Sequence, residues 1–159
     1  MRRIQSIVGL GLAIIVLAGV LGLWLWGKPR ETVARPDATT SPAGVVRTFA
    51  TALNDRDYSA AKAVVVGDRV GVDAGWWSLH GPRVEDLRIL RTGPVTTGAQ
   101  CEAREATKWK KCVQVDTSAT FRHVKGMTKG GKPDHEAWSY YLVRNNGSES
   151  WRILDWGKG

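Results

Sequence analysis

The sequence predicts an α+β fold from three observations: two short helical patterns between residues 41 and 65, segments of two-residue alternation after Pro82, and turn signals between those segments. Ahead of them lies an apolar stretch, residues 4–26, without a charge or a histidine. The chain has 159 residues, 43% hydrophobic and 24% charged, with a net charge of +8. That composition excludes a disordered tail, a collagen-like fibre and a multi-domain enzyme. The expected architecture is an N-terminal transmembrane helix followed by an αα-hairpin packed on a curved antiparallel sheet.

Residues 7–26 are Val, Leu, Ile, Ala, Gly and Trp, and as a helix they would span about 30 Å, the thickness of a hydrocarbon core. Trp24 and Trp26 fall where indole rings favour headgroups, and Lys28 and Arg30 follow as anchors. Arg2 and Arg3 also suit a cleaved signal peptide, but the apolar run is longer than a usual signal h-region and the small-residue site near Ala34 lies well beyond it. The expectation is an uncleaved signal anchor over residues 1–27, in the plasma membrane as a single pass, with the remainder extracytoplasmic. Residues 28–40, rich in Lys, Pro, Arg, Thr and Asp, read as a solvated linker to a domain over residues 41–159.

Ser41-Pro42 places an N-cap before a proline at the first helical position, and Val45, Val46, Phe49, Ala52 and Leu53 follow at helical spacing. Asp57 can cap a second helix, whose stripe runs through Tyr58, Ala61, Val64 and Val65 to Gly67. Trp76, Trp77 and Leu79 suggest a further short helix. Strand periodicity then takes over. Residues 84–91 form one candidate strand, and in residues 112–121 Val113, Val115, Thr117, Ala119 and Phe121 share a face opposite Gln114, Asp116 and Ser118. Residues 136–144 set Trp138, Tyr140 and Leu142 against Ser139, Tyr141 and Val143, and residues 151–156 close the sheet after Asn146-Gly147, a favoured hairpin-turn pair.

The opening segment, residues 41–49 through 53–61, and the closing pair, residues 138–144 with 151–157, resemble the cone-shaped fold of the nuclear transport factor two-like (NTF2-like, SnoaL-like) superfamily in its membrane-anchored actinobacterial form. The resemblance implies a cone-like fold. Enzymes of that superfamily use Asp, Tyr or His inside the cone, and no such set matches position by position here.

Cys101 and Cys112 are the only cysteines. In an oxidising exterior such a pair is expected to form a disulfide, and its loop of about a dozen residues corresponds to roughly 3 kcal/mol by chain entropy. A metal site is not expected, because no second Cys or His pair completes four ligands. Residues 126–133 come within one residue of the phosphate-cradling P-loop pattern, but Pro133 stands where Ser or Thr would bind magnesium and strands are expected on both sides. His80, His123 and His135 show no metal-binding or triad spacing. Lys108, Lys110, Lys111, Arg122, Lys125, Lys129 and Lys132 surround a single acid, Asp116, and form a candidate anion-binding set. Trp76, Trp77, Tyr140 and Tyr141 are candidate walls of a ligand pocket, although Trp138, Trp151 and Trp156 occupy positions that a core must cover.

The functional expectation is a non-enzymatic, cofactor-free binding or scaffold module at the cell envelope, in a secretion- or conjugation-type assembly. Its partners would be the membrane, a protein of the envelope, and anionic lipid or cell-wall polymer, with nucleic acid not expected. The alternative is a small-ligand-binding or SnoaL-like enzymatic domain with an aromatic pocket, which predicts a cavity holding an Asp, Tyr or His with a perturbed pKa.

Overall fold

Local chemistry at Ser41 starts the first helix. In the computed structural model, which describes residues 14–22, 24–25, 28–67, 83–122 and 134–158, the Ser41 hydroxyl accepts from the Gly44 N–H at 3.1 Å and Pro42 opens the first turn. Helix α1 (Pro42–Asn54) buries Val45, Val46, Phe49, Ala50 and Ala52. Arg56 takes a left-handed conformation (φ 58°) and reverses the chain, and Asp57 caps α2 (Tyr58–Ala63) by accepting from the Ala60 N–H at 2.9 Å. The other Asp57 carboxylate oxygen accepts from the Val33 N–H at 3.0 Å, and Arg35 donates to Ser59 at 3.1 Å. Residues 28–40, the expected linker, are mostly exposed and touch the helix corner at Arg30, Val33 and Arg35.

Four strands follow: β1 (Arg83–Thr92), β2 (Lys111–Arg122), β3 (Asp134–Arg144) and β4 (Arg152–Lys158), paired antiparallel in the order β1-β2-β3-β4. The inner face is the one that the alternation predicts: Val113, Val115, Thr117, Ala119, Tyr140 and Leu142 are buried and, with Ile153 and Trp151, meet the helices. Thr117 is polar and buried, and its hydroxyl donates to the Trp138 carbonyl at 3.1 Å, so no cost of an unmade bond falls on the core. Phe49 sits at the centre, edge-on to Tyr140 at 6.5 Å and tilted on Trp156 at 5.7 Å.

The edges are closed by side chains and by short segments. The Asn54 carboxamide accepts from the Val84 N–H at 2.8 Å and donates to the Val84 carbonyl at 2.7 Å, standing in for a neighbouring strand on β1. Two register shifts interrupt β1, the first at Asp86, whose φ is 54°. At the other edge Ile153 pairs with residues 64–66, accepting from the Val66 N–H and donating to the Val64 carbonyl, each at 2.8 Å.

The apolar run at the start requires a correction. Residues 14–22 and 24–25 are helical, and their large apolar side chains, Ile15 and Leu17 among them, are exposed. Among the described residues no helix is long and apolar enough to cross a membrane. The transmembrane helix, the signal anchor and the single-pass plasma-membrane placement with an extracytoplasmic domain are therefore not supported. The expected short helix at Trp76 and Trp77 and the glycine-lysine segment 126–133 lie outside the described residues.

Candidate functional site

The outer face of the sheet is divided in two by the connection between β1 and β2. Residues 93–110 fold back over one end of that face through two short 3-10 turns, Gly98–Gln100 and Ala106–Lys108. Three attachments hold this cover. Gly93 and Thr96 continue the β2 ladder, Thr96 exchanging both backbone hydrogen bonds with Cys112 at 2.8 and 2.9 Å. The Cys101–Cys112 disulfide, with Cα atoms 6.0 Å apart, ties the cover to the strand. Ala103 and Ala106 then pack on Cys112, Val143 and Leu154 in a second apolar cluster. This is why Val143, on the face that alternation assigns to solvent, is fully buried. Gly98 permits the close fold of the cover, since a β-carbon there would collide with the backbone carbonyls of Ala106 and Trp109.

Beside the cover the outer face is open and polar. Asp116 lies at its centre, across the ladder from Arg91 and Ser139. Its carboxylate accepts from Arg91 Nε at 2.9 Å, from the Gln114 amide at 2.7 Å and from the Ser139 hydroxyl at 2.8 Å. Partial burial pushes its pKa up, but the bonds from Ser139, Gln114 and Arg91 and the Arg91 charge more than offset this, leaving Asp116 below the usual carboxylate value. Next to it Tyr141 donates to Glu102 of the cover at 3.4 Å. Burial and the neighbouring Glu102, Asp116 and Asp155 charges raise the Tyr141 pKa. Arg91, Thr96, Gln100, Glu102, Gln114 and Tyr141 line a cleft of about 170 Å³ whose inner wall is the disulfide.

The structure separates several residues that the sequence groups together. Tyr140 and Tyr141 project to opposite faces: Tyr140 is buried against Phe49, with burial pushing its pKa up to about 12, while Tyr141 lines the outer cleft. Trp76 and Trp77 lie outside the described residues, as do Lys125, Lys129 and Lys132. Lys108, Lys110 and Lys111 sit at the start of β2, with Lys108 paired to Glu105 at 3.0 Å. Arg122 is at the far end of the same strand, about 35 Å away at roughly 3.3 Å per residue. Register instead brings Arg144 opposite Lys111, and Arg152 opposite Val143. Sequence reasoning missed both arginines, and also Arg91 beside Asp116, which only strand register, not fixed by the alternating pattern, could have found; alternation alone put Gln114 on the face of Asp116. Among the described residues no group of three or more His, Cys, Asp or Glu side chains is placed to hold a metal ion.

Two helices on one face of a four-stranded antiparallel meander define a mixed α+β protein. No protein-family model matches the chain, and no curated protein does. Among solved structures it is similar to a SEC-C motif-containing protein from Rhodopseudomonas palustris, determined in solution, at 15% identity and a TM-score of 0.51 over 78% of this chain and 82% of the other. A crystal structure of a SEC-C motif-containing protein from Psychrobacter arcticus matches at 18% identity and a TM-score of 0.46, over 81% of this chain and 68% of the other. The first likeness speaks for the fold alone. The resemblance to the NTF2-like, SnoaL-like superfamily is overturned, because the likeness that speaks for the fold is to the SEC-C motif-containing protein of Rhodopseudomonas palustris. The residues that carried it, a Ser-Pro helix start and an aromatic closing hairpin, specify helices packed on a meander and nothing narrower.

Proposed function

We propose that this protein is a non-enzymatic binding or scaffold module whose partner docks on the open part of the outer sheet face, around Asp116 and the cleft beside the cover. The single observation that carries the reading is the bonded array of exposed Arg91 with half-buried Gln114, Asp116 and Ser139, held on three adjacent strands. Such an array keeps its geometry before a partner arrives, so little ordering cost falls on association. Tyr141 adds an aromatic ring with a polar tip, the residue type that interfaces favour. The ligand-binding alternative called for a pocket walled by Trp76, Trp77, Tyr140 and Tyr141; Tyr140 instead packs edge-on against Phe49, Tyr141 faces the outer cleft, and Trp76 and Trp77 lie outside the described residues. The outer cleft, at about 170 Å³, suits one projecting side chain of a protein partner, being smaller than the roughly 300–1,000 Å³ of small-molecule sites; a second hollow of about 480 Å³ lies on the other side of the cover, between Val66, Trp109 and Leu154.

The test compares capture from an extract of the source cells by the full chain and by two charge variants. Ala137→Glu puts a carboxylate on the exposed outer face opposite Ser118, and Arg47→Glu does so on the solvent side of α1. A reproducible partner retained by wild type and Arg47→Glu but lost by Ala137→Glu is the expected result. Equal retention by both variants, or no reproducible partner, overturns the reading.

A further inference from the structure

We propose that the end of the sheet where β2 begins and β3 ends holds a phosphate-type oxyanion between Arg144 and Lys111. This site lies apart from the Asp116 face and does not rest on the reading given for it. Register sets Lys111 directly opposite Arg144, a spacing of about 4.5–5.5 Å between Cα atoms at which like charges repel. Among the described residues neither side chain forms an ion pair. The carboxylates at this end are committed elsewhere: Glu105 pairs with Lys108, and Glu149 accepts from the Asn145 N–H at 3.0 Å and the Asn146 amide at 2.7 Å.

The arginine is also held in place. Its guanidinium lies 4.2 Å over the ring of buried Trp151, and its Nε is buried with no hydrogen-bond partner. Stacking fixes the plane of the fork, whose geometry matches two oxygens of one oxyanion. Lys111 is exposed beside it as a point charge, and the Lys110 N–H donates to the Asn145 side chain at 3.3 Å, which holds Lys110 against the turn after β3. A doubly charged oxyanion would convert a repulsive pair into two attractive contacts. A neutral ligand would not, and a singly charged anion would do so more weakly.

The experiment titrates the full chain with inorganic phosphate and separately with adenosine monophosphate, following the Trp151 indole N–H resonance. A saturable shift is expected with wild type, weakened about tenfold or more in Lys111→Gln, as loss of a charged contact implies, and unchanged in Arg122→Gln at the far end of β2. Arg144→Lys keeps the charge but loses the fork and the stack, and is expected to weaken binding as well. Equal affinity for the two ligands identifies the free ion as the source, and tighter binding of the nucleotide identifies an organic phosphate; either supports the site. No saturable shift, undiminished binding by a folded Lys111→Gln, or equal weakening by Arg122→Gln overturns it.

Discussion

Removing the Cys101–Cys112 bond should destabilise the fold by loosening the unfolded chain and should free the cover from the sheet. The cysteines are 11 residues apart, for which loop-closure entropy of about −9 cal/mol/K gives about 2.8 kcal/mol at 25 °C. With a urea dependence of about 1.5 kcal/mol/M, the midpoint should fall by about 2 M. The cleanest perturbation is Cys101→Ser, because Cys101 is half-buried at the cleft while Cys112 can remain as a small apolar thiol among Ala103, Ala106, Val143 and Leu154. Urea unfolding is measured for wild type and variant, each with and without a phosphine reductant. Wild type should lose about 2–3 kcal/mol on reduction, and Cys101→Ser should match reduced wild type and ignore the reductant. In the same samples amide exchange should rise over residues 93–110 and stay unchanged in α1. A wild-type midpoint unmoved by complete reduction, or a variant that still responds, would refute the reasoning.

Asp57→Ala removes a helix cap and the charged acceptor of the Val33 N–H together, so a loss of about 2–4 kcal/mol is expected in the same urea assay. The Val33 and Ala60 N–H groups and the Arg35 charge lower the Asp57 pKa against an opposing effect of burial. A carboxylate depressed in the folded state contributes stability above its unfolded pKa of about 3.9 that is lost as pH falls through the folded value; wild type should therefore lose more stability than Asp57→Ala in acid titration. Tyr140 has the opposite arrangement: burial raises its pKa to about 12, so its contribution is complete below pH of about 10 and fades as pH rises toward the folded value. Ultraviolet titration should show one tyrosine that ionises late, and Tyr140→Phe should abolish that step. Gly98→Ala forces a methyl into the Ala106 and Trp109 carbonyls and should cost about 1–3 kcal/mol, with exchange again raised over the cover.

What the sequence made legible was local. Ser41-Pro42 and Asp57 announce their helices because a capping side chain acts within three residues, and the inner face of β2 and β3 follows from alternation alone. The cover was not legible, since its burial of Val143 depends on a long connection returning to the sheet. The same limit hid Asn54, whose pairing with Val84 spans 30 residues, and the Arg144–Lys111 pairing, which only register creates. Of the basic set, Lys111 and Arg122 stand at the two ends of one extended strand. Hydropathy over residues 4–26 suggested a span, and among the described residues no helix is long and apolar enough to be one.

The central claim, that the open outer face is where this protein meets its partner, is most directly tested by photocrosslinking from two positions of the full chain in its source cells. One probe replaces Ser118 on the outer face, and the other replaces Arg47 on the solvent side of α1. A discrete crosslinked species from position 118 alone, lost when Asp116→Ala removes the acceptor shared by Arg91, Gln114 and Ser139, is the predicted result. Equal crosslinking from position 47, or a species from position 118 that survives Asp116→Ala, would contradict it.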